Sequence, residues 1–416
     1  TVVLQSHIDM VGEKNSETDH DFSADPIRPF IEGEWVKARG TTLGADDGIG
    51  IAAQLAILAA DDIPHGRIEC LFTVDEETGL TGAFGLQPGF LKGNILLNLD
   101  SEDEGEIFIG CAGGKDTVAT ITFSRVPVGY DALAYTVKVS GLKGGHSGDD
   151  INKGLGNAVK MLNRILWNSN KKFDLRISHF EGGNLRNAIT REAAAIVVIP
   201  RRFKEEFTAY VEEMQAAIRH EYRSAEPNLT IRTKPTDLPS HLIDISTQEK
   251  LLNALYACPH GVLAMSREIP NFVETSTNLA SVKMSENKIL ISTSQRSSLE
   301  SAKACAADMV GCVFTMAGAK IEHSDGYPGW TPNPDSEILE ISKEAYIKLF
   351  RTEPKVLAIH AGLECGVIGE KYPGMDMISY GPTIKGAHSP DERLHIETVT
   401  KFWDLTLEIL ANIPEE

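Results

Sequence analysis

Short apolar runs alternate with helical spacings through the first hundred residues. Residues 2–4, 69–74 and 95–99 are apolar-rich runs of strand length, each closed by a polar cluster, which predicts buried strands. Residues 48–60 have helical spacing and begin just after Asp46 and Asp47. Past residues 111–114 the pattern changes. Segments 135–139, 194–199, 229–231 and 289–292 read as strands, with helical stretches at 203–222 and 299–316 among them. This predicts a separate α+β unit with an antiparallel sheet. From about His323 the first style returns, with a helix at 336–350, strands at 355–359 and 375–379, and a helix at 397–410. The turn-rich GYPGWTPNP at 326–334 marks that return. No internal repeat or low-complexity tract stands out.

The candidate chemistry lies where the runs stop. His7 and Asp9 follow the first run, Glu76 and Glu77 the second, and Asp100 the third. Asp46 opens the predicted helix, and His388 lies in a turn after Gly386. In open α/β sheets, sites form beyond the carboxyl ends of strands. His7 and Asp9 are two apart and share one face. The histidine offers a nitrogen to a divalent metal, and the carboxylate can fix the ring from behind. Alone, such a pair is more readily a surface or capping pair. Asp46 and Asp47, among Gly44, Gly48 and Gly50, read either as a helix cap or as a bridge between two metals. ARGTTLGADDG lacks the Gly-Lys-Ser/Thr ending of a phosphate loop. Two adjacent acids after a buried strand are costly without cations. Neighbours on a strand point to opposite sides, so one of Glu76 and Glu77 should bind metal while the other faces substrate. Jointly, five acids and two histidines at these positions predict a two-metal site. Mixed imidazole and carboxylate ligands suit zinc, with manganese or cobalt as alternatives.

Because His388 completes a set that starts at His7, the predicted catalytic domain is discontinuous. It covers residues 1–113 and 325–416, with 114–324 inserted as an α+β lid. A chain of 416 residues is beyond the size at which one core keeps growing, which also predicts two domains. The formal charge of −19 argues against a nucleic-acid partner. Six cysteines without a C-x-x-C pair predict a reducing, cytoplasmic setting. No apolar run is long enough for a membrane span, so no membrane partner is expected. The first apolar run begins at Thr1 without an initiator Met, so an upstream segment is expected to be missing.

SHIDM, ARGTTLGADDG, DEETG, NLDSE and GAHSPDE, in this order, resemble the metal motifs of the di-zinc peptidase family that includes carnosinase, peptidase T and aminoacylase. GCAGG, GLKGGHSG, GGNLRNAI, HAGLECG and GPTIKGAHSPDE are similar to its aminoacyl-histidine dipeptidase branch. The resemblance implies an α/β zinc-peptidase-type catalytic domain with an inserted lid, and hydrolysis of unblocked dipeptides, Xaa-His among them. It implies one zinc on His7, Asp46 and Asp100, and a second on Asp46, Glu77 and His388. Asp9 would orient His7, Glu76 would be the general base, and His146 would stabilise the oxyanion. Asn187 and Arg296 are candidates for the substrate's carboxylate, and Glu364 for its free amine. A surface ion pair for Arg296 and a plain loop acid for Glu364 are the competing readings. Relatives often take the lid histidine from a partner subunit, so a homodimer is one expectation. A lid of double size supplying both halves within one chain is the other.

Three alternatives stand beside this reading. A deacylase of N-acyl amino acids would use the same scaffold, and a non-catalytic metal-dependent binding protein would need no free base such as Glu76. Cys365, near His360 and Glu364, hints at a thiol nucleophile, but buried cysteine is the default.

Overall fold

The computed structural model describes residues 1–414 and divides into two compact units, Thr1–Ala112 with Pro328–Glu416, and Gly113–Tyr327. The first unit carries a six-stranded sheet. Its strand order is Lys355–Ile359, Glu106–Cys111, Asp376–Ser379, Ile95–Asn98, Val2–His7 and Ile68–Thr73. The last four run parallel, so their carboxyl ends lie along one edge. Glu106–Cys111 and Lys355–Ile359 run the other way, since the first of them meets Asp376–Ser379 antiparallel. The sheet is therefore mixed, and the strand at 106–111 was not evident from the sequence because its apolar run is only three residues long between Glu106 and Gly110. Every residue of Val2–His7 is buried, as expected of a central strand covered on both faces. Val3, Leu71, Leu96, Met377, Ile368 and Trp330 form one apolar layer against the sheet.

A second, four-stranded antiparallel sheet in this unit joins Pro29–Glu32, Trp35–Ala38, Arg393–His395 and Ile384–Lys385. Its strands are two to four residues long, too short to leave a period in the sequence. It nevertheless brings residues near 40 and near 388 together.

The second unit is built on a nine-stranded antiparallel sheet. Residues 132–236 run strand, helix, strand, strand, helix, strand. Their strands are Ala132–Ser140, Arg176–Gly182, Ala193–Pro200 and Thr230–Thr236, and their helices Ala158–Phe173 and Lys204–Glu221. In the sheet the order is fourth, first, third, second. The same plan is repeated by strands Gly113–Thr122, Val273–Ser285, Lys288–Ser297 and Lys320–His323, with helices Ile245–Ala257 and Glu300–Met316. The two copies meet through their second strands at a single registered pair, Gly182 with Val282. A Cβ on Gly183 would fall 1.9 Å from the Ala280 carbonyl oxygen, so only glycine fits that join. The repeat corrects the sequence reading, which found none. One copy is inserted between the first strand and first helix of the other, so the unit has no sequential period to detect. Both copies contribute to one core, with Val137, Leu162, Phe180 and Phe207 from one and Leu251, Val282, Ile291 and Phe314 from the other.

Candidate active site

Four ligand-type side chains emerge at the carboxyl edge of three of the parallel strands. His7 ends Val2–His7, Asp100 follows Ile95–Asn98, and Glu76 and Glu77 follow Ile68–Thr73. Glu76 and Glu77 do not continue their strand. They open the one-turn helix Glu76–Gly79, entered through Asp75 at φ 55°. Asp9 accepts from the amides of Glu76 (3.1 Å) and Glu77 (3.2 Å), so it caps that turn. It also lies beside His7, whose Nδ1 is 3.0 Å from the Asp9 carbonyl oxygen and 3.5 Å from its carboxylate. Both the main chain and the carboxylate of Asp9 thus lie against the ring, the main chain being the nearer.

Asp46 and Asp47 divide the two roles that the sequence left open. Asp47 is the cap, its Oδ1 accepting from the Gly50 amide at 3.1 Å. A Cβ on Gly50 would lie 2.4 Å from both Asp47 Oδ1 and Ser6 Oγ, so glycine is required there. Asp46 faces the site. Its Oδ1 is 3.1 Å from His7 Nε2, and its Oδ2 is 3.0 Å from His388 Nε2. His7 Nε2 is also 3.2 Å from Asp100, and His388 Nε2 3.0 Å from Glu77. The candidate metal-holding sets are His7 with Asp46 and Asp100, Asp46 with Glu77 and His388, and His7 with Glu76 and Glu77. Within each set the donor atoms lie within 4.8 Å of one another.

The electrostatics fit cations. Burial pushes Asp100 well above the usual carboxylate range, and the charges of Asp46 and Asp47 add to this. Burial likewise raises Glu76, to about 7, with Glu77, Glu364 and Asp46 contributing against the opposing charge of His7. Burial would raise Asp46 too, but hydrogen bonds from His388 and His7 hold it far below. Hydrogen bonds to Asp46 and Glu77 lift His388 to about 10. For His7, burial opposes the charge, yet contacts with Asp100 and Asp46 raise it far above the imidazole range. A cluster that holds protons this tightly is a set of metal donors occupied by protons. Metal uptake must displace them, so apparent metal affinity is expected to rise with pH when titrated against a chelating indicator. His388's folded value of about 10 exceeds its ordinary 6.5, so its contribution to metal-free stability is complete below 6.5 and lost as pH rises through 10. Melts in chelator are expected to show that fall, and saturating metal to reverse it.

Glu392, in the same GAHSPDE motif as His388, was missed from sequence. It is 2% exposed and accepts from the amides of Leu43 (2.7 Å), Gly44 (3.1 Å) and Ala45 (2.7 Å). The small sheet carries it there, because Arg393–His395 pairs with Trp35–Ala38 just before that loop. Glu392 thereby ties the Asp46 loop to the His388 hairpin. Its replacement by alanine is expected to weaken metal binding by about 10–100-fold, as for supporting groups at other metal centres. Metal titration checks this, and an unchanged affinity would remove Glu392 from the site.

Glu364 needs correction. Expected at the substrate's amine, it is fully buried, and its Oε2 accepts from Gln5 Nε2 and Thr73 Oγ1, each at 2.6 Å. It belongs to a polar layer beneath His7, with Gln5 in turn accepting from Asn98. Cys365 is also fully buried, and that burial pushes its thiol up, which removes the thiol-nucleophile reading.

The other three candidates lie in the second unit. Asn187 and Arg296 line one cavity of about 180 Å³ with Arg186, Asp116, Ser294 and Tyr327. Arg296 is 7% exposed; its Nη1 donates to the Tyr327 hydroxyl at 2.9 Å and its Nε has no partner among the described residues. His146 sits on the adjoining loop, held by the Ser147 amide donating to the Asn187 carbonyl (2.7 Å) and the His146 amide to Asp150 (2.7 Å). His146 Nδ1 accepts from the Asp149 amide at 3.2 Å, although the Asp149 carboxylate is also 3.3 Å away. The amide, a fixed donor, decides the tautomer and leaves the proton on Nε2.

No described helix is long and apolar enough to cross a membrane. The model of peptidase family M20/M25/M40 matches residues 3–412. The chain is 45% identical over 415 residues to the cytosol non-specific dipeptidase of Escherichia coli, covering 99% of this chain and 85% of that protein. Its structure is similar to that of aminoacylhistidine dipeptidase from Vibrio alginolyticus, with a TM-score of 0.93, 46% identity, and coverage of 100% of this chain and 85% of the other. Aminopeptidase PepT from Bacillus cereus shares the fold, with a TM-score of 0.53 at 17% identity over 99% of this chain and 80% of that one.

Proposed function

Because the chain belongs to peptidase family M20/M25/M40 and is a hydrolase of peptide bonds, we propose that it cleaves unblocked dipeptides, Xaa-His among them, in the cytosol. The observation that carries this reading is the position of Asp46, one carboxylate between two histidines, each also beside an acid. Three carboxylates and two imidazoles suit two zinc ions, which would be held by His7, Asp46 and Asp100 and by Asp46, Glu77 and His388. When bound, such a pair polarises the scissile carbonyl and lowers the pKa of attacking water.

This chain's residues do the rest. Glu76, raised by burial toward neutrality, accepts the proton of the attacking water and returns it to the leaving amine. Asp9 fixes Glu76 in place through the cap it makes to that residue's amide. His146 offers Nε2–H to the oxyanion. Arg296, with an unpartnered Nε, and Asn187 receive the C-terminal carboxylate. The repeat in the second unit gives a single chain two lid modules.

The test is release of free histidine from Ala-His by metal-loaded protein, with a chelated sample and an N-acetylated substrate alongside. Turnover of Ala-His alone, abolished by chelation, supports the dipeptidase. Turnover of the acetylated substrate instead would assign the site to deacylation. A fully metal-loaded protein that cleaves neither would point to binding without catalysis.

A further inference from the structure

Asp116 has no part in the reaction above, yet it lines the same cavity as Asn187 and Arg296. Gly113–Thr122 pairs antiparallel with Lys288–Ser297, placing Asp116 opposite Ser294 and Gly114 opposite Arg296. Asp116, Ser294 and Arg296 therefore share one sheet face, and all three line the 180 Å³ cavity. Asp116 and Arg296 are diagonal neighbours, about 7–8 Å apart along the backbone. A carboxylate beside an anion-binding arginine opposes the binding of an anion unless it has another task. Arg186 offsets part of that charge, its Nη1 donating to Asp116 Oδ2 at 3.0 Å. The Asp116 backbone is pinned by its amide donating to Ser324 Oγ at 3.0 Å. Oδ1 makes no hydrogen bond among the described residues and remains open to a donor.

We propose that Asp116 is the specificity-determining residue for the C-terminal side chain. Its Oδ1 accepts an N–H from that side chain while Arg296 holds the same residue's carboxylate. A histidine imidazole meets both demands: it donates, and it fits a cavity with room for about six waters. The favoured class is thus dipeptides whose C-terminal side chain carries a hydrogen-bond donor, and an acidic side chain is disfavoured. This assignment rests on the dipeptidase reading given above.

The test compares kcat and KM for Ala-His, Ala-Ala and Ala-Glu in metal-loaded wild type, Asp116→Ala and Asp116→Asn. In Asp116→Ala the KM for Ala-His is expected to rise, lowering the Ala-His to Ala-Ala preference by roughly ten- to a hundredfold, the worth of a charge-assisted hydrogen bond. Ala-Ala should be unchanged or bind slightly more tightly, since Arg296 loses an opposing charge, and Ala-Glu should improve further because Arg186 also loses its carboxylate partner. Asp116→Asn keeps the size and one acceptor oxygen and should fall between. Competitive inhibition by free histidine, but not by alanine, should weaken in the same order. If Asp116→Ala does not fold, Asp116→Asn and the inhibition constants decide. An unchanged preference with Ala-Ala still cleaved overturns the role of Asp116 and leaves the dipeptidase standing. A wild type that cleaves no dipeptide overturns both.

Discussion

Replacing Glu76 with glutamine is expected to lower kcat by about 10²–10⁴-fold, the usual worth of a positioned general base, with no loss of metal. Glutamine keeps the shape of the side chain and the helical turn whose amides Asp9 caps. It removes only the group that accepts a proton near neutrality. The sets containing Asp46 do not include Glu76, so metal content should remain that of the wild type. Steady-state kinetics on Ala-His and elemental analysis of the same preparations measure both quantities. The third candidate set, His7 with Glu76 and Glu77, supplies the outcome that would sink this assignment. If metal and activity fall together, Glu76 is a ligand and the base lies elsewhere.

Asp46→Asn should do more damage, because one carboxylate serves two ligand sets. Its oxygens lie 3.1 Å from His7 and 3.0 Å from His388, and no other described acid contacts both rings. Removing its charge should weaken metal retention beyond the about 10–100-fold that loss of a supporting group costs. Turnover should fall below that of the Glu76 variant. A readout independent of turnover is available in the metal-free protein, where His388 should lose much of its elevation from about 10. Histidine resonances followed against pH would show it. Two metals retained at wild-type affinity would mean that Asp46 does not bridge.

The parallel half of the first sheet was legible because each strand is an apolar run, and three of the four are closed by their own acid or histidine. Burial on both faces produces the run, and the strand's carboxyl end produces the polar stop. The small four-stranded sheet was not legible, since strands of two to four residues carry no period. With it went Glu392, whose only signal was membership of the GAHSPDE motif. The repeat in the second unit was hidden by topology. Its residues are conventional strands and helices, but one copy interrupts the other, so no fixed spacing recurs. Glu364 shows the opposite error. A glutamate beside a metal motif reads as a contact for substrate, whereas three-dimensional packing turned it inward to Gln5 and Thr73. Sequence spacing reports which residues are near a site and does not report which way they face.

The nesting of one element within another also sets when the enzyme can first exist. Strand Lys355–Ile359 must find Glu106–Cys111 across an entire second unit, and His388 must find Asp46 from further still. Contacts of such separation form late and slowly. During synthesis, His7, Asp46, Glu77 and Asp100 leave the ribosome long before His388 does. An unfinished chain therefore carries the candidate sets built on His7 and lacks the one that contains His388. The full pair of ligand sets is expected only after most of the chain has been made.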